Sequence, residues 1–391
     1  MTNQLNKLYI EPTTKCNFHC SMCFRNTWFD EMFADMSWTV YERTIATMPD
    51  TVNTVFFGGM GEPLFYPRII DMVRLAATKV NQIELLTNGS LLNFEMAQQL
   101  LKSGLSKLWI SIDAFKTQDS KRVGHDYEIE KIIDNIAAYN KARSMFNPQA
   151  KLAITFVAMK SNLHQLGFLP QFMIDHAVDE ANISNVYPSD VMAAQEVLYE
   201  KTVGDIYPAD NPVHQGSLFA YIVEAAQALA DFPSCRPQIK IPFMDWDRED
   251  VQLALKQLFE FSGYSHSIFD PQVGKMDRYC RFIDEGTAFV RFDGAVCPCM
   301  ATLHSGIEVW KGEMRKVYQH SFGNINQQCL NDIWQSKDYS AFRDRVKNFD
   351  FPSCVHCTYC DYFNENVEDC YGNVKPTCGG CLWSQGIIIC P

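Results

Sequence analysis

Nowhere in the 391 residues does an apolar run reach the roughly 18 residues that cross a bilayer. The opening MTNQLNKLYIEP lacks the charged and apolar blocks of a signal peptide, so a cytoplasmic chain without a membrane partner is expected. Positive charge is scarce: 34 Lys and Arg face 46 Asp and Glu, a net charge of −12. That balance repels phosphate backbones and argues against a nucleic-acid partner. No Ser-His-Asp or phosphate-loop pattern occurs. None of the nine histidines stands at a spacing that suggests a metal or nucleophilic pair, so each reads as structural. Cysteine is missing altogether from 24 to 234.

What is present begins with a compact composition, 47% hydrophobic and 20% charged, in a chain long enough for one large domain or two ordinary ones. Six short apolar runs bounded by turn residues recur through the first half: 7–12, 51–59, 82–89, 107–114, 151–159 and 181–188. They read as buried parallel strands. Helix-like stretches separate them. Pro67 opens PRIIDMVRLAATK, Asn93 and Gly104 bracket NFEMAQQLLKSG, and EIEKIIDNIAAYNKA repeats its apolar positions at helical spacing. Six βα units predict an α/β fold, a partial (β/α)6 TIM-like barrel, with an open doubly wound sheet as the alternative. Either fold puts its chemistry at the C-terminal strand ends. The expected division is a barrel over 1–215, a helical bridge or lid over 216–275 with helices at 217–232 and 247–261, and a cysteine-rich domain over 276–391. That last region has too little apolar pattern for a core of its own, so metal ligation is expected to stabilise it.

Fifteen cysteines in a reducing compartment suggest metal ligands rather than disulfides. Cys16, Cys20 and Cys23 fall in one loop, KCNFHCSMCF, directly after the first strand. A structural zinc would need a fourth ligand, from His19 or from far away. An iron–sulfur cluster held by three thiolates would keep one iron open to a ligand. Spacing alone leaves both alternatives.

The Cx3CxxC loop, FFGGMGEP after the second strand, LLTNG after the third and SIDA after the fourth together resemble the radical S-adenosylmethionine (SAM) superfamily. The resemblance spans about residues 7 to 190. It implies a 4Fe–4S cluster on Cys16, Cys20 and Cys23 whose open iron chelates SAM, reductive cleavage to a 5′-deoxyadenosyl radical, and hydrogen abstraction from a substrate. It further implies cofactor contacts from Gly58, Gly59, Gly61, Glu62, Asn88, Ser111 and Asp113. Glycines permit close backbone approach, and the Glu62 carboxylate can accept from the cofactor's ammonium. The plainer readings are a tight turn for Glu62 and Asn88 and a helix cap or turn for Asp113.

Cys280, thirteen residues, Gly294, four residues and Cys299 resemble the opening of the SPASM extension, and FGNINQQCLNDIW resembles the segment that commonly follows. The resemblance implies a SPASM-like domain with two auxiliary 4Fe–4S clusters. Ten candidate ligands are available: Cys280, Cys297, Cys299, Cys354, Cys357, Cys360, Cys370, Cys378, Cys381 and Cys390. CVHCTYC departs from the usual late spacing, which leaves assignment to individual clusters open, with zinc in a CxxC pair as the alternative. Cys235 and Cys329 read as buried or idle thiols, and Cys297 as ligand or bystander. The tail CYGNVKPTCGGCLWSQGIIICP and GGMGEPLFYP look most like the tungsten-cofactor oxidoreductase maturase branch.

The expected activity is therefore maturation of a protein, peptide or metallocofactor precursor, with a reductant such as ferredoxin or flavodoxin. The alternatives are dehydrogenation or rearrangement of a small alcohol or amino sugar, and a non-catalytic iron–sulfur electron carrier. Cys16 lies so early that no leader-binding domain is expected ahead of it, which counts against ribosomal peptides. Candidate substrate-side residues are Tyr9, His125, Tyr187, Ser189 and Asp190. Asp190 would take the proton released in an oxidation, or else cap a helix.

Overall fold

The computed structural model describes residues 4–116, 128–200, 238–245, 248–260, 266–269, 279–357 and 360–391. Each of the six apolar runs forms a strand: β1 (Lys7–Ile10), β2 (Thr54–Phe57), β3 (Gln82–Thr87), β4 (Lys107–Ser111), β5 (Lys151–Ala158) and β6 (Glu180–Asn185). They pair in parallel in chain order. Parallel pairing requires a crossover after every strand. Helices α1 (Trp38–Ala46), α2 (Ile69–Ala76), α3 (Phe94–Lys102), α4 (Ile129–Phe146) and α5 (Leu169–Asp175) lie on these crossovers. Asn93 caps α3 as predicted, its side chain accepting the Met96 N–H at 2.8 Å. A short helix, α6 (Val191–Gln195), follows β6.

The sheet continues further than six units. From the stretch read as a helical bridge come β7 (Gln238–Ile241), α7 (Glu249–Glu260) and β8 (His266–Phe269), with both strands parallel to their neighbours. The helix expected at 217–232 lies outside the described residues. At the other edge, α8 (Arg281–Asp284) leads into β9 (Thr287–Val290), which pairs in parallel with β1, and β10 (Val296–Cys297) returns antiparallel. The order β10-β9-β1-β2-β3-β4-β5-β6-β7-β8 makes an open ten-stranded sheet. A hairpin of β11 (Gly306–Trp310) and β12 (Glu313–Val317) stands apart from it, followed by α9 (Leu330–Gln335) and α10 (Lys337–Lys347).

The cysteine-rich region was expected to lack a core, and the structure shows how it gains one. Phe289 on β9 stacks on Tyr9 of β1 with ring centroids 4.5 Å apart, and Trp334, Tyr339 and Phe342 are buried in the same continuous apolar cluster as the barrel strands. Residues 386–391 run across β6 and β7 toward β1. Asn185 donates to the Ile387 carbonyl at 2.8 Å and to the Phe243 carbonyl at 2.7 Å, and Lys7 donates to the Pro391 carbonyl at 3.3 Å. Among the described residues no helix is long and apolar enough to cross a membrane.

Candidate functional site

Because β1 to β6 are parallel, the loops bearing the sequence motifs emerge at one edge of the sheet. Cys16, Cys20 and Cys23 are half-buried there. Together with Gly58, Gly59, Gly61, Glu62, Asn88 and Ser111 they line a cavity with about 550 Å³ of open space, its mouth included. Burial pushes the Cys20 thiol up to about 12, and the Asp113 carboxylate adds to the effect. A nearby cationic centre is what such a thiol needs in order to ionise. Asn17 and Asn88 brace the loop: the Asn88 amide lies 3.0 Å from Asn17 Oδ1 and 3.8 Å from Cys16 Sγ.

The glycines in GGMGEP answer first to the chain itself. A Cβ on Gly61 would lie 2.2 Å from the Thr13 carbonyl oxygen and 2.6 Å from that of Lys15, so only glycine lets this turn seat against the thiol loop. Glu62 is buried, and its carboxylate accepts from the Leu64 N–H at 2.9 Å, the Thr87 hydroxyl at 2.6 Å and the Asn88 N–H at 2.7 Å. Burial outweighs these bonds and pushes its pKa up to about 7. Asp113 is likewise pushed up to about 7 by burial, while its Oδ1 accepts the Val157 N–H at 2.7 Å. Asp113 does not line the cavity, whereas Ser111 does.

Met60 forms part of a second, smaller and narrower cleft with about 340 Å³ of open space, its mouth included, walled by Phe24, Trp28, Tyr187, His304 and Trp383. Phe24 and Tyr187 are in ring contact at 4.4 Å, and Trp28 stacks on His304 at 4.1 Å. His304 is almost fully buried between two carboxylates. Its Nε2 lies 2.9 Å from Glu11 Oε1 and its Nδ1 lies 3.1 Å from Glu31 Oε2. Burial opposes charge on the ring, but Glu11 and then Glu31 outweigh it and hold the pKa above its ordinary value.

Two groups of later thiols are distinguishable by which charges act on which. Cys280, Cys299, Cys378, Cys381 and Cys390 perturb one another, and burial is the largest cause of the rise in each. Cys354 is raised to about 11, chiefly by burial, with Cys357 and Cys370 among its neighbours, and both of those are exposed. Cys360 is half-buried. Cys297 is buried on β10 with its sulfur 3.4 Å from the Gln319 amide, and the Cys299 thiol acts on it as well, whereas the other five are half-buried. Cys329 lies half-buried at the start of α9, and all fourteen described cysteines are free thiols.

The family model described as the radical SAM superfamily matches residues 10–147, and that of SPASM, an iron–sulfur cluster-binding domain, matches residues 280–361. The sequence is 30% identical to the tungsten-containing aldehyde ferredoxin oxidoreductase cofactor-modifying protein of Pyrococcus furiosus, over 98% of this chain and 96% of that one. This chain belongs to the radical SAM superfamily and carries a SPASM domain. Its fold is similar to Streptococcus suis SuiB bound to precursor peptide SuiA, with TM-score 0.56, 18% identity, and coverage of 88% of this chain and 67% of that one. It is also similar to native anSMEcpe with bound AdoMet, with TM-score 0.55, 16% identity, and coverage of 92% and 87%.

A radical SAM protein takes S-adenosylmethionine and a 4Fe–4S cluster, and its SPASM domain carries auxiliary iron–sulfur clusters. The residues present fit that demand. Three thiols line the cavity with no fourth among its lining residues, and three glycines line it beside them.

Several predicted residues sit elsewhere. Asp190 caps α6, its Oδ1 accepting the Ala193 N–H at 2.7 Å, and it lines neither cavity. Tyr9 is buried against Phe56 and Phe289, with its hydroxyl donating to the Pro391 carbonyl. Ser189 is buried and also lines neither cavity. Tyr187 does wall the second cavity. His125 lies outside the described residues. The sequence reading missed His304, Glu11 and Glu31. Glu11 carried a usable signal, a carboxylate directly after a strand of the parallel sheet, but His304 stands 293 positions away with no motif around it.

Proposed function

We propose that this chain matures the metallocofactor of a tungsten-containing oxidoreductase, acting on a precursor of that cofactor or on the protein that carries it. The likeness to the Pyrococcus furiosus cofactor-modifying protein along nearly the whole of both chains carries this reading. When bound, the cluster and SAM supply reductive cleavage and a radical that abstracts a hydrogen atom from the substrate.

The chain's own residues would do the rest. Cys16, Cys20 and Cys23 hold the cluster, while the turn from Gly58 to Gly61 and Ser111 bound the SAM position. Glu62 fixes that turn to the end of β3 through Thr87 and Asn88. The cavity beside Met60, walled by Phe24, Trp28, Tyr187 and Trp383, receives the substrate and excludes water from it. Four of the five thiols Cys280, Cys299, Cys378, Cys381 and Cys390 hold one auxiliary cluster, and Cys354, Cys357, Cys360 and Cys370 the other. A cytoplasmic reductant such as ferredoxin or flavodoxin delivers the electron.

A second reading, oxidation of a free small molecule, is favoured by the modest size of that cavity. Anaerobic reconstitution, followed by assay of 5′-deoxyadenosine with and without the apo-oxidoreductase, separates the two. Stimulation by the oxidoreductase or its cofactor precursor supports maturation. Stimulation only by free alcohols or amino sugars overturns it.

A further inference from the structure

The buried charges around His304 join four parts of the chain that are distant in sequence. Glu11 follows β1, Glu31 belongs to the loop after the cluster thiols, Arg291 follows β9, and His304 precedes β11. The side chains of Glu11, Glu31 and His304 are 1%, 3% and 2% exposed. Arg291 lies 2.9 Å from Glu31, so two carboxylates face one guanidinium and one imidazole. Glu31 has Arg291 as well as His304, and the Ser305 N–H also donates to it at 2.7 Å. Among the described residues the cation paired with Glu11 is His304.

The consequence reaches the SAM side of the molecule through Glu11. Its Oε1 accepts the Met60 N–H at 3.1 Å. Its Cγ, Oε1 and Cβ fill the space a side chain on Gly59 would need, at 2.6 to 2.9 Å from that missing Cβ, and Gly59 sits at φ +105°. Gly59 and Met60 both line the thiol cavity, while Met60 and His304 both line the second one. A displaced Glu11 therefore displaces the turn that bounds the cofactor position, and what holds Glu11 is a residue of the SPASM region.

We propose that the Glu11–His304 pair is a positioning device through which the SPASM domain, by its seating on the barrel, sets the shape of the Gly59–Met60 turn and thereby the affinity for SAM. This rests on the thiol cavity being the SAM site and is independent of which substrate the enzyme modifies. Removing His304 leaves a buried carboxylate without its cation, a condition that proteins relieve by moving the group or admitting water. Glu11→Gln keeps a carbonyl oxygen for the Met60 N–H while removing the charge.

The test uses the full chain, anaerobically reconstituted, with iron and sulfide counted in each variant. SAM affinity is measured by equilibrium dialysis, and its contact with the cluster by the change that SAM causes in the reduced cluster's electron paramagnetic resonance signal. His304→Ala is expected to weaken SAM binding by about tenfold or more at unchanged iron content, a shift in the usual range of coupling between sites. Glu11→Gln combined with His304→Ala is expected to recover most of that loss. Glu11→Ala should be no better than His304→Ala. Should His304→Ala fail to take up iron, His304→Gln with and without Glu11→Gln carries the same comparison. Arg143→Met, which breaks the 2.6 Å pair with Asp179 remote from the cavity, should leave SAM affinity unchanged. SAM binding within twofold of wild type in a fully loaded His304→Ala protein overturns the proposal. So does a double variant no better than His304→Ala, because a general loss of folding would not be rescued by neutralising Glu11.

Discussion

The Glu62 carboxylate and the Asn88 backbone join two strand ends, with Oε2 accepting the Asn88 N–H at 2.7 Å. Oε1 takes the Thr87 hydroxyl and the Leu64 N–H, so one side chain braces the glycine-rich turn against the loop after β3. The acidic residue of GGMGEP thus has a local task in addition to any contact with a ligand's ammonium.

Glu62 predicts a pH dependence with a definite sign. Burial raises its folded pKa from 4.5 to about 7, so the folded state binds more protons than the unfolded one between those values. The Glu62 contribution to stability is then fully present below 4.5 and is lost as pH rises through about 7. Thermal unfolding of Glu62→Gln should show a flatter dependence between pH 5.5 and 7.5 than wild type. An unchanged slope would mean that Glu62 stays ionised throughout. Glu62→Ala, which strands three donors, should cost about 2–4 kcal/mol.

Two glycines make an internal comparison. Gly61→Ala drives a Cβ into the Thr13 and Lys15 carbonyls, which are backbone and cannot swing aside. We expect loss of 5′-deoxyadenosine formation and destabilisation of about 2 kcal/mol or more. Gly312→Ala, at φ +84° in the hairpin turn with nothing within 4 Å, should cost only backbone strain of about 1 kcal/mol and leave cleavage intact. Equal effects at both sites would remove the steric account of the glycine turn.

The six barrel strands were legible because each is a buried apolar run closed by turn residues, and the chemistry at the first strand end was legible only through the resemblance that the thiol loop carries together with GGMGEP, TNG and SIDA. β7 and β8 were not legible: QIKI and HSIF are four residues each, too short to stand out as apolar runs. β9 reads as a strand only once β1 is beside it, in the register Tyr9↔Phe289. The same limit hid Glu11 and His304. A buried ion pair between residues 293 positions apart leaves no periodicity, only the fact that both side chains are polar where their surroundings are not.

Asp190 offers a decision between capping and proton transfer. As the N-cap of α6 it satisfies the Ala193 N–H, so Asp190→Ala should lower stability by about 1 kcal/mol while SAM cleavage and substrate turnover persist. Asp190→Asn keeps the cap and removes the base. Turnover of Asp190→Asn within about twofold of wild type fits the cap, and a loss of 10²-fold or more at intact stability would restore the proton-acceptor role.

The cysteine groups predict how iron and stability divide. Replacing Cys16, Cys20 and Cys23 with Ala should remove about four irons and all SAM cleavage while leaving the later clusters loaded. Replacing Cys280 and Cys381, or Cys354 and Cys357, should each remove about four irons from a different cluster. The two losses should differ in stability. Cys280, Cys299, Cys378, Cys381 and Cys390 form the group whose thiols burial raises most consistently, and they sit beside the apolar core that joins β9 to the barrel. Cys357 and Cys370 are exposed, so water can replace what the metal supplied there. Loss of the cluster packed against the core should therefore lower the unfolding temperature more than loss of the one with exposed thiols. Equal iron loss with the opposite order of stability would mean that the late thiols are partitioned differently.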